Sequence, residues 1–309
     1  MRILVTGAAG FIGSHLSNRL IHDGNEVIGL DNERSGDWGR VDLGVRRIYN
    51  NLVDLSDTEF DALLDGVEVL FHLAAEKYNS SKATPDSVTE VNIVATQKLF
   101  RAAARAGVKR TVFTSSLYAY GSMGPDAMSE ADRALPNTYY GMSKLAGEHI
   151  LASVHRDIGL SWNAARLFFV YGPRQYAEGG YKSVIITNFE RMLRGESPLI
   201  FGDGQQSLDY IFVDDVVDGL LLLATGKRDS EVVNFASGRS ASISELTEIM
   251  VRTAGWNGGI EHGPADWTAG SSRFGDPSLA EEVFRWTAVT SLEDGLRHTW
   301  EWLIASRAK

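Results

Sequence analysis

The sequence predicts an α/β chain built on a doubly wound parallel sheet, with a smaller C-terminal α/β domain. Three observations carry this. Apolar, β-branched runs alternate with helix-periodic stretches through the first two-thirds; a glycine-rich string directly follows the first run; and the alternation loosens after Gly172. Alternating strands and helices imply parallel strands joined by right-handed crossovers. Strands that are apolar throughout imply a sheet covered on both faces.

In chain order the expected strands are Arg2 to Thr6, Glu26 to Leu30, Arg46 to Asn50, Val67 to Leu73, Arg110 to Ser115 and Leu160 to Phe168. Helix periodicity between them is plainest over Val88 to Ala106. After Gly172, Tyr181 to Arg194 reads as a helix. Leu199 to Phe201 reads as a short strand before the turn Gly202-Asp203-Gly204, and Leu208 to Val213 as another strand. Asp214 is placed to cap the helix that follows. The expected division is a first domain over 1–172, to which the chain returns around 208–236, and a mainly substrate-binding domain over 173–309.

Composition narrows the functional classes. No apolar run approaches the roughly 20 residues of a membrane span, so no membrane partner is expected. The opening MRILVTG runs straight into glycines as a first strand does, not as a signal peptide, and the expected location is cytoplasmic. With no cysteine in 309 residues, disulfides, thiolate metal sites and cysteine nucleophiles are excluded. The seven histidines lack ligand spacing, and His72 sits in an apolar run as a core residue would, so no metal is expected. A net charge of −10 argues against nucleic acid as a partner. An anionic small-molecule substrate would have to be held by local Arg or Lys.

The sharpest local motif is Gly7-Ala-Ala-Gly10-Phe11-Ile12-Gly13, which ends a strand and opens a helix. Gly7 permits a tight turn, Gly10 lets backbone approach a pyrophosphate, and Gly13 lets the helix pack close to the sheet. The diphosphate then sits on the helix N-terminus, as in the Rossmann arrangement. Asp31 ends the second strand near the spacing of the acid that binds the adenosine ribose, and its charge repels a 2′-phosphate, favouring NAD over NADP. The plainer reading has Asp31 starting a turn with Asn32, and Arg34 leaves NADP as a minor alternative. Asp54 could accept from the adenine amino group, but capping the helix that begins near Ser56 is the better physical reading. Leu73, Ala74 and Ala75 end the fourth strand with small residues that suit close approach of a cofactor.

Tyr140 and Lys144 stand four apart, on one face of a helix. A phenol has a reference pKa of about 10; a neighbouring ammonium favours the phenolate, so Tyr140 is the expected base. Ser116 follows the fifth strand, where parallel-sheet sites gather, and could bond both the substrate oxygen and the phenol. Tyr139 has no lysine four residues on. No Gly-x-Ser-x-Gly elbow is present.

The motifs follow in order: GAAGFIG, LDN at Asp31, HLAA at His72, VNIVAT around Asn92, FTSSLYAYG, YYGMSK, RLFFVYGPRQ, IFGDG and FVDDVV. The set resembles the extended short-chain dehydrogenase/reductase family, and within it the NAD-dependent nucleotide-sugar epimerases and dehydratases. The resemblance implies transient oxidation of a sugar carbon. Tyr140 takes a hydroxyl proton while NAD takes a hydride, and a keto intermediate is reduced, eliminated upon or released. It implies that Ser116, Tyr140 and Lys144 are catalytic and that Lys144 also binds the nicotinamide ribose. It adds Phe11, Ile12, Asn32, Leu55, Lys77, Asn92, Ser115 and Phe168 to the cofactor set. The substrate set it implies is Lys77, Ser116, Tyr118, Phe169, Lys182 and Arg273.

Family dehydratases carry acids where this chain has Leu117 and Tyr118, so elimination is disfavoured and epimerisation is the default. Two departures bear on the substrate. Phe169 replaces a family Asn and Leu208 a family Arg, both groups that usually hold the nucleotide diphosphate. A Leu cannot replace a bidentate Arg; Lys182, Arg191 and Arg174 are the candidates to compensate. The expected activity is C4 epimerisation of a nucleoside-diphosphate sugar. The alternatives are an NAD-dependent dehydrogenase or reductase of a sugar or polyol, and a non-catalytic NAD-sensing module. The resemblance also implies a homodimer, paired through the helices Val88 to Ala106 and Tyr140 to Val154.

Overall fold

The structure, a computed structural model, describes residues 1–121, 126–175, 183–265 and 270–307. The first half alternates β1 (Arg2–Thr6), α1 (Phe11–His22), β2 (Glu26–Asp31), β3 (Arg46–Tyr49), α2 (Asp57–Leu64), β4 (Val69–His72), α3 (Tyr78–Ala83), α4 (Pro85–Thr89), α5 (Thr96–Arg105), β5 (Arg110–Ser116), α6 (Tyr139–Ile158) and β6 (Trp162–Leu167). The second half runs β7 (Phe169–Tyr171), α7 (Val184–Leu193), β8 (Leu199–Phe201), β9 (Ser207–Leu208), β10 (Tyr210–Phe212), α8 (Val213–Thr225), β11 (Glu231–Phe235), β12 (Ala241–Ser242), α9 (Ile243–Ala254), β13 (Glu261–Gly263), β14 (Ser272–Arg273), α10 (Ser278–Phe284) and α11 (Leu292–Arg307).

Seven strands form one parallel sheet in the order β11-β6-β5-β4-β1-β2-β3. Strand order reverses between β1 and β4, and ligands of such sheets bind outside the carboxyl ends of the strands at that reversal. All residues of β4 and β6 are buried, as a sheet covered on both faces requires. On one face Leu16 and Leu20 of α1 pack with Val216, Leu220 and Leu223 of α8. On the other lie Phe60 of α2, Leu99 and Phe100 of α5, and Leu151 and Val154 of α6. So β11 completes the first sheet and α8 covers it, although the chain leaves for β7 to β10 between β6 and α8. A third cluster joins α7, α9 and α11 through Phe189, Leu246, Met250 and Leu303, beside three small sheets. Among the described residues no helix is long and apolar enough to cross a membrane.

Four local expectations change. Val88 to Ala106 is not one regular helix: a π-helical turn over Glu90–Ala95 separates α4 from α5 and carries Asn92. Leu208 to Val213 is split into β9 and β10 because Asp209 turns inward. Its carboxylate accepts from Ser237 N at 2.8 Å, Ser237 Oγ at 2.6 Å, Gly238 N at 3.1 Å and Gly275 N at 3.2 Å. Asp214 does not cap α8. Strand β10 enters that helix without a loop, Phe212 is the N-cap, and Asp214 lies in the first turn with its carboxylate 3.0 Å from His15 Nδ1. Helix α7 begins at Val184, capped by Ser183; Tyr181 lies outside the described residues.

Candidate active site

The carboxyl edge of the sheet opens into a cavity of about 730 Å³, walled by the turn after β1, the loops after β2 to β5 and the start of β7. The glycine turn is a tight cradle. Gly7 has φ +72°, and a Cβ there would lie 2.8 Å from Ala74 N. A Cβ on Gly13 would lie 1.9 Å from Gly7 O, so only glycine lets α1 start this close to the strand. Gly10, the N-cap of α1, brings no side-chain cap, and Phe11 and Ile12 line the cavity, leaving the first-turn N–H groups for an anion. A cofactor diphosphate fits such a cradle.

Asp31, Asn32, Leu73, Ala74, Ala75, Lys77, Ser115 and Phe168 all line the same cavity. The Asp31 carboxylate accepts from Ala9 N at 3.0 Å and Glu33 N at 2.8 Å, so it both starts a turn and faces the cleft. Burial pushes its pKa up, and those backbone donors hold it partly back. Packing around Lys77 lowers its ammonium pKa, and Asp31 and Glu76 pull it back up.

Three residues expected to touch the cofactor do not line the cavity. Asp54 is held by Asn51 Nδ2 at 2.7 Å. It caps nothing either, because Ser56 caps α2 in a capping box with Glu59. Leu55 is buried in the apolar cluster under α2. Asn92 supports the wall from behind: its Oδ1 accepts from Glu76 N at 2.7 Å, and its Nδ2 donates to Glu76 O and Ser143 Oγ, both at 3.0 Å. In their place the wall takes in Asn51, Leu52, Val53, Glu76, Thr114 and Gln175. Extending each strand by a few residues past its carboxyl end would have found most of these.

Helix α6 delivers Tyr140 and Lys144 to the cavity. Thr138 Oγ1 caps it, accepting from Gly141 N at 3.0 Å. Tyr140 and Lys144 follow on the cavity side, while Tyr139 is 59% exposed. Lys144 is buried, its Nζ donating to Thr114 O at 2.8 Å and lying 5.7 Å from the Tyr140 ring centroid. Burial pulls the Lys144 pKa down to about 7 against the opposing pull of Glu148. Burial likewise pushes the Tyr140 phenol up to about 12, with Ser116 bonding holding it partly back. The phenol is therefore neutral at pH 7 in this state, contrary to the lowering expected from spacing alone, because burial outweighs the bond from Ser116.

Around the phenol, Tyr118 packs edge-on to Tyr140 at 5.9 Å and stacks on Tyr78 at 4.7 Å. Phe169 lines the cavity with its ring 6.3 Å from Tyr210. Arg273 lies outside the cavity wall, its guanidinium 6.0 Å from the Tyr118 ring, and it pairs in register with Leu208. An arginine thus stands one strand over from the position where the family arginine is missing. Lys182 lies outside the described residues. Arg191 is committed to Ser197 O and Glu261. His72 is a core residue: Thr6 Oγ1 lies 2.7 Å from Nδ1 and Thr96 Oγ1 2.9 Å from Nε2.

A pH test follows from Lys144. The unfolded chain keeps that proton up to about pH 10.5, whereas the folded chain releases it near pH 7. Between these values the unfolded state binds the extra proton, so raising the pH stabilises the fold. The stability of the native protein minus that of Lys144→Met should rise from pH 7 to pH 9, by at most about 1.4 kcal/mol per unit. Denaturant unfolding across that range measures it; a difference independent of pH contradicts it.

Residues 3–236 match the NAD dependent epimerase/dehydratase family. The chain is 36% identical over 308 residues to a UDP-glucose 4-epimerase of Mycolicibacterium smegmatis, covering 97% of this chain and 98% of that one. It superposes with TM-score 0.93 and 33% identity on the UDP-glucose 4-epimerase of Thermotoga maritima, solved with UDP-glucose, covering 99% and 100% of the two chains. MoeE5 in complex with UDP-glucose and NAD gives TM-score 0.88 at 34% identity, with the same coverage. The glycine cradle, the Tyr140–Lys144 helix and these end-to-end similarities make the chain a member of the NAD-dependent epimerase/dehydratase family, of the extended short-chain dehydrogenase/reductase type.

Proposed function

We propose that the protein is a UDP-sugar 4-epimerase that works through a keto intermediate of its substrate. The observation that carries this is the company of Tyr140: a phenol beside Ser116 and Lys144 at the rim of the dinucleotide cleft, with an aromatic ring, Tyr118, where elimination would need an acid. NAD, when bound, supplies a hydride acceptor that can also return the hydride.

The chain's own groups handle the proton. Tyr140 takes it from the sugar hydroxyl and gives it back, and Ser116 bonds the same oxygen. A cationic nicotinamide in the same cavity favours the phenolate that burial alone opposes. Gly7, Gly10 and Gly13 seat the cofactor diphosphate and Asp31 its ribose, while Lys144 and Lys77 serve the nicotinamide side. Arg273, beside Leu208, is the cation offered to the substrate diphosphate, with Lys182; Phe169 and Tyr118 wall the sugar. On this reading residues 1–172 with the return over 208–236 hold the cofactor, and 173–309 mainly the substrate; α8 and β11 in the first sheet support the return.

We also propose a homodimer through α5 and α6. The π turn before α5 carries exposed Val94, and α6 carries exposed Tyr139 and Met142. A cytoplasmic location completes the reading, in keeping with the cysteine-free sequence.

Incubation with UDP-glucose should yield UDP-galactose without accumulation of reduced nicotinamide absorbance. Tyr140→Phe should lower kcat by about 10²- to 10⁴-fold. Stoichiometric NADH with an oxidised product would replace epimerisation with net dehydrogenation. Light scattering at micromolar concentration should give twice the 33.9 kDa chain mass; a monomer mass refutes the dimer.

A further inference from the structure

The loops after β2 and β4 meet across the cofactor cleft, joined by one ion pair: Arg34 Nη1 donates to Glu76 Oε1. Both residues line the cavity. The partners are unequal. The Glu76 side chain is only 10% exposed, and its backbone N–H and C=O are both bonded to the Asn92 amide, so its carboxylate projects from a fixed backbone. The Arg34 side chain is 57% exposed and reaches across to it. The backbone of Arg34 is held on the β2 side, where its N–H donates to Asn32 Oδ1 at 2.9 Å.

Arg34 stands three residues after Asp31, the carboxylate on the ribose side of the cleft. A guanidinium so placed is the group that accommodates a ribose 2′-phosphate, through strong charge-assisted hydrogen bonds. Among the described residues of the wall it is the one guanidinium; of the two lysines, Lys77 already lies in the field of Asp31 and Glu76, and Lys144 is bonded to Thr114 O beside Tyr140.

We propose that Glu76 is a cofactor-selecting residue: by holding Arg34 across the cleft, it withholds that guanidinium from a 2′-phosphate and reinforces the preference of Asp31 for NAD over NADP. This rests on the NAD reading of the cleft. NADP binding would meet two penalties. Drawing Arg34 away strands a buried carboxylate, and leaving it in place leaves the phosphate facing Asp31 without its partner.

The test is calorimetric titration of NAD and NADP into the full chain freed of cofactor, comparing native protein, Glu76→Gln and the double variant Glu76→Gln with Arg34→Ala. The NADP-to-NAD affinity ratio should rise about tenfold in Glu76→Gln, one charge-assisted hydrogen bond's worth. It should fall back toward the native ratio in the double variant. Glu76→Leu repeats the test should the glutamine variant fold poorly. A ratio within about twofold of native in both single variants overturns the proposal, as does an equal rise in the double variant, which would take Arg34 out of the effect. Native protein that binds neither nucleotide overturns the cofactor reading itself.

Discussion

The seam between α6 and the end of β5 is the contact on which the site depends. Glu148, one turn beyond Lys144, receives Arg166 of β6 in a two-pronged pair, Nε to Oε1 at 3.0 Å and Nη2 to Oε2 at 2.7 Å, with both side chains nearly excluded from water. The same carboxylate accepts from Ser115 Oγ. Lys144 adds its bond to Thr114 O, one residue before Ser115. The guanidinium also lies 4.5 Å from the Tyr120 ring, whose hydroxyl donates to Asn234 of β11 at 2.7 Å. Three strands and one helix are thus tied together directly beneath Ser116 and Tyr140. A buried ion pair of this kind adds little net stability, but losing one partner is costly. Its effect here is geometric: it fixes the register of the helix against the strand that carries the serine.

Burial in the cavity and the charge of the seam oppose each other at Lys144, and burial wins. Burial disfavours every unpaired charge, so the phenol rises to about 12 and the lysine falls to about 7. The phenol is left neutral and the lysine partly protonated near pH 7, a state that added positive charge in the cleft can tip toward phenolate. The glycine cradle gives that charge its position. Because α1 begins in contact with the strand turn, its dipole and free N–H groups face the cofactor side of the cleft, some distance along the sheet edge from Tyr140. On the proposed reading the diphosphate seat is built on α1 and the proton-handling phenol on α6, both opening on one cavity.

Much of this was legible because it is local or periodic. Most strands of the first half announced themselves as apolar runs, the edge strand β3 (Arg46–Tyr49) being the polar exception, and the pair Tyr140 and Lys144 by a four-residue spacing that a helix turns into one face. The glycine string was legible because each glycine answers a specific close approach. What escaped depends on partners distant in sequence. Asp54 was read against its neighbours, but Ser56 caps α2 better and Asn51 claims the carboxylate. Asn92 looked like a cofactor ligand, yet its amide is spent on Glu76, sixteen residues earlier, and on Ser143. Asp209 broke an expected strand because its donors come from residues 237, 238 and 275. Glu76 carries no motif in the sequence, and its place in the wall depends on the Asn92 clamp on its backbone. The substrate end was read least well, since Phe169, Leu208 and Arg273 acquire meaning only when β9 and β14 are seen side by side.

The central claim is that the glycine cradle and the α6 rim form one NAD site whose cofactor is recycled within each turnover. Mass spectrometry of the small molecules released on denaturing the purified protein tests it most directly. Near-stoichiometric NAD is the predicted result. Protein that releases no NAD, and retains none after incubation with it and gel filtration, would contradict the account.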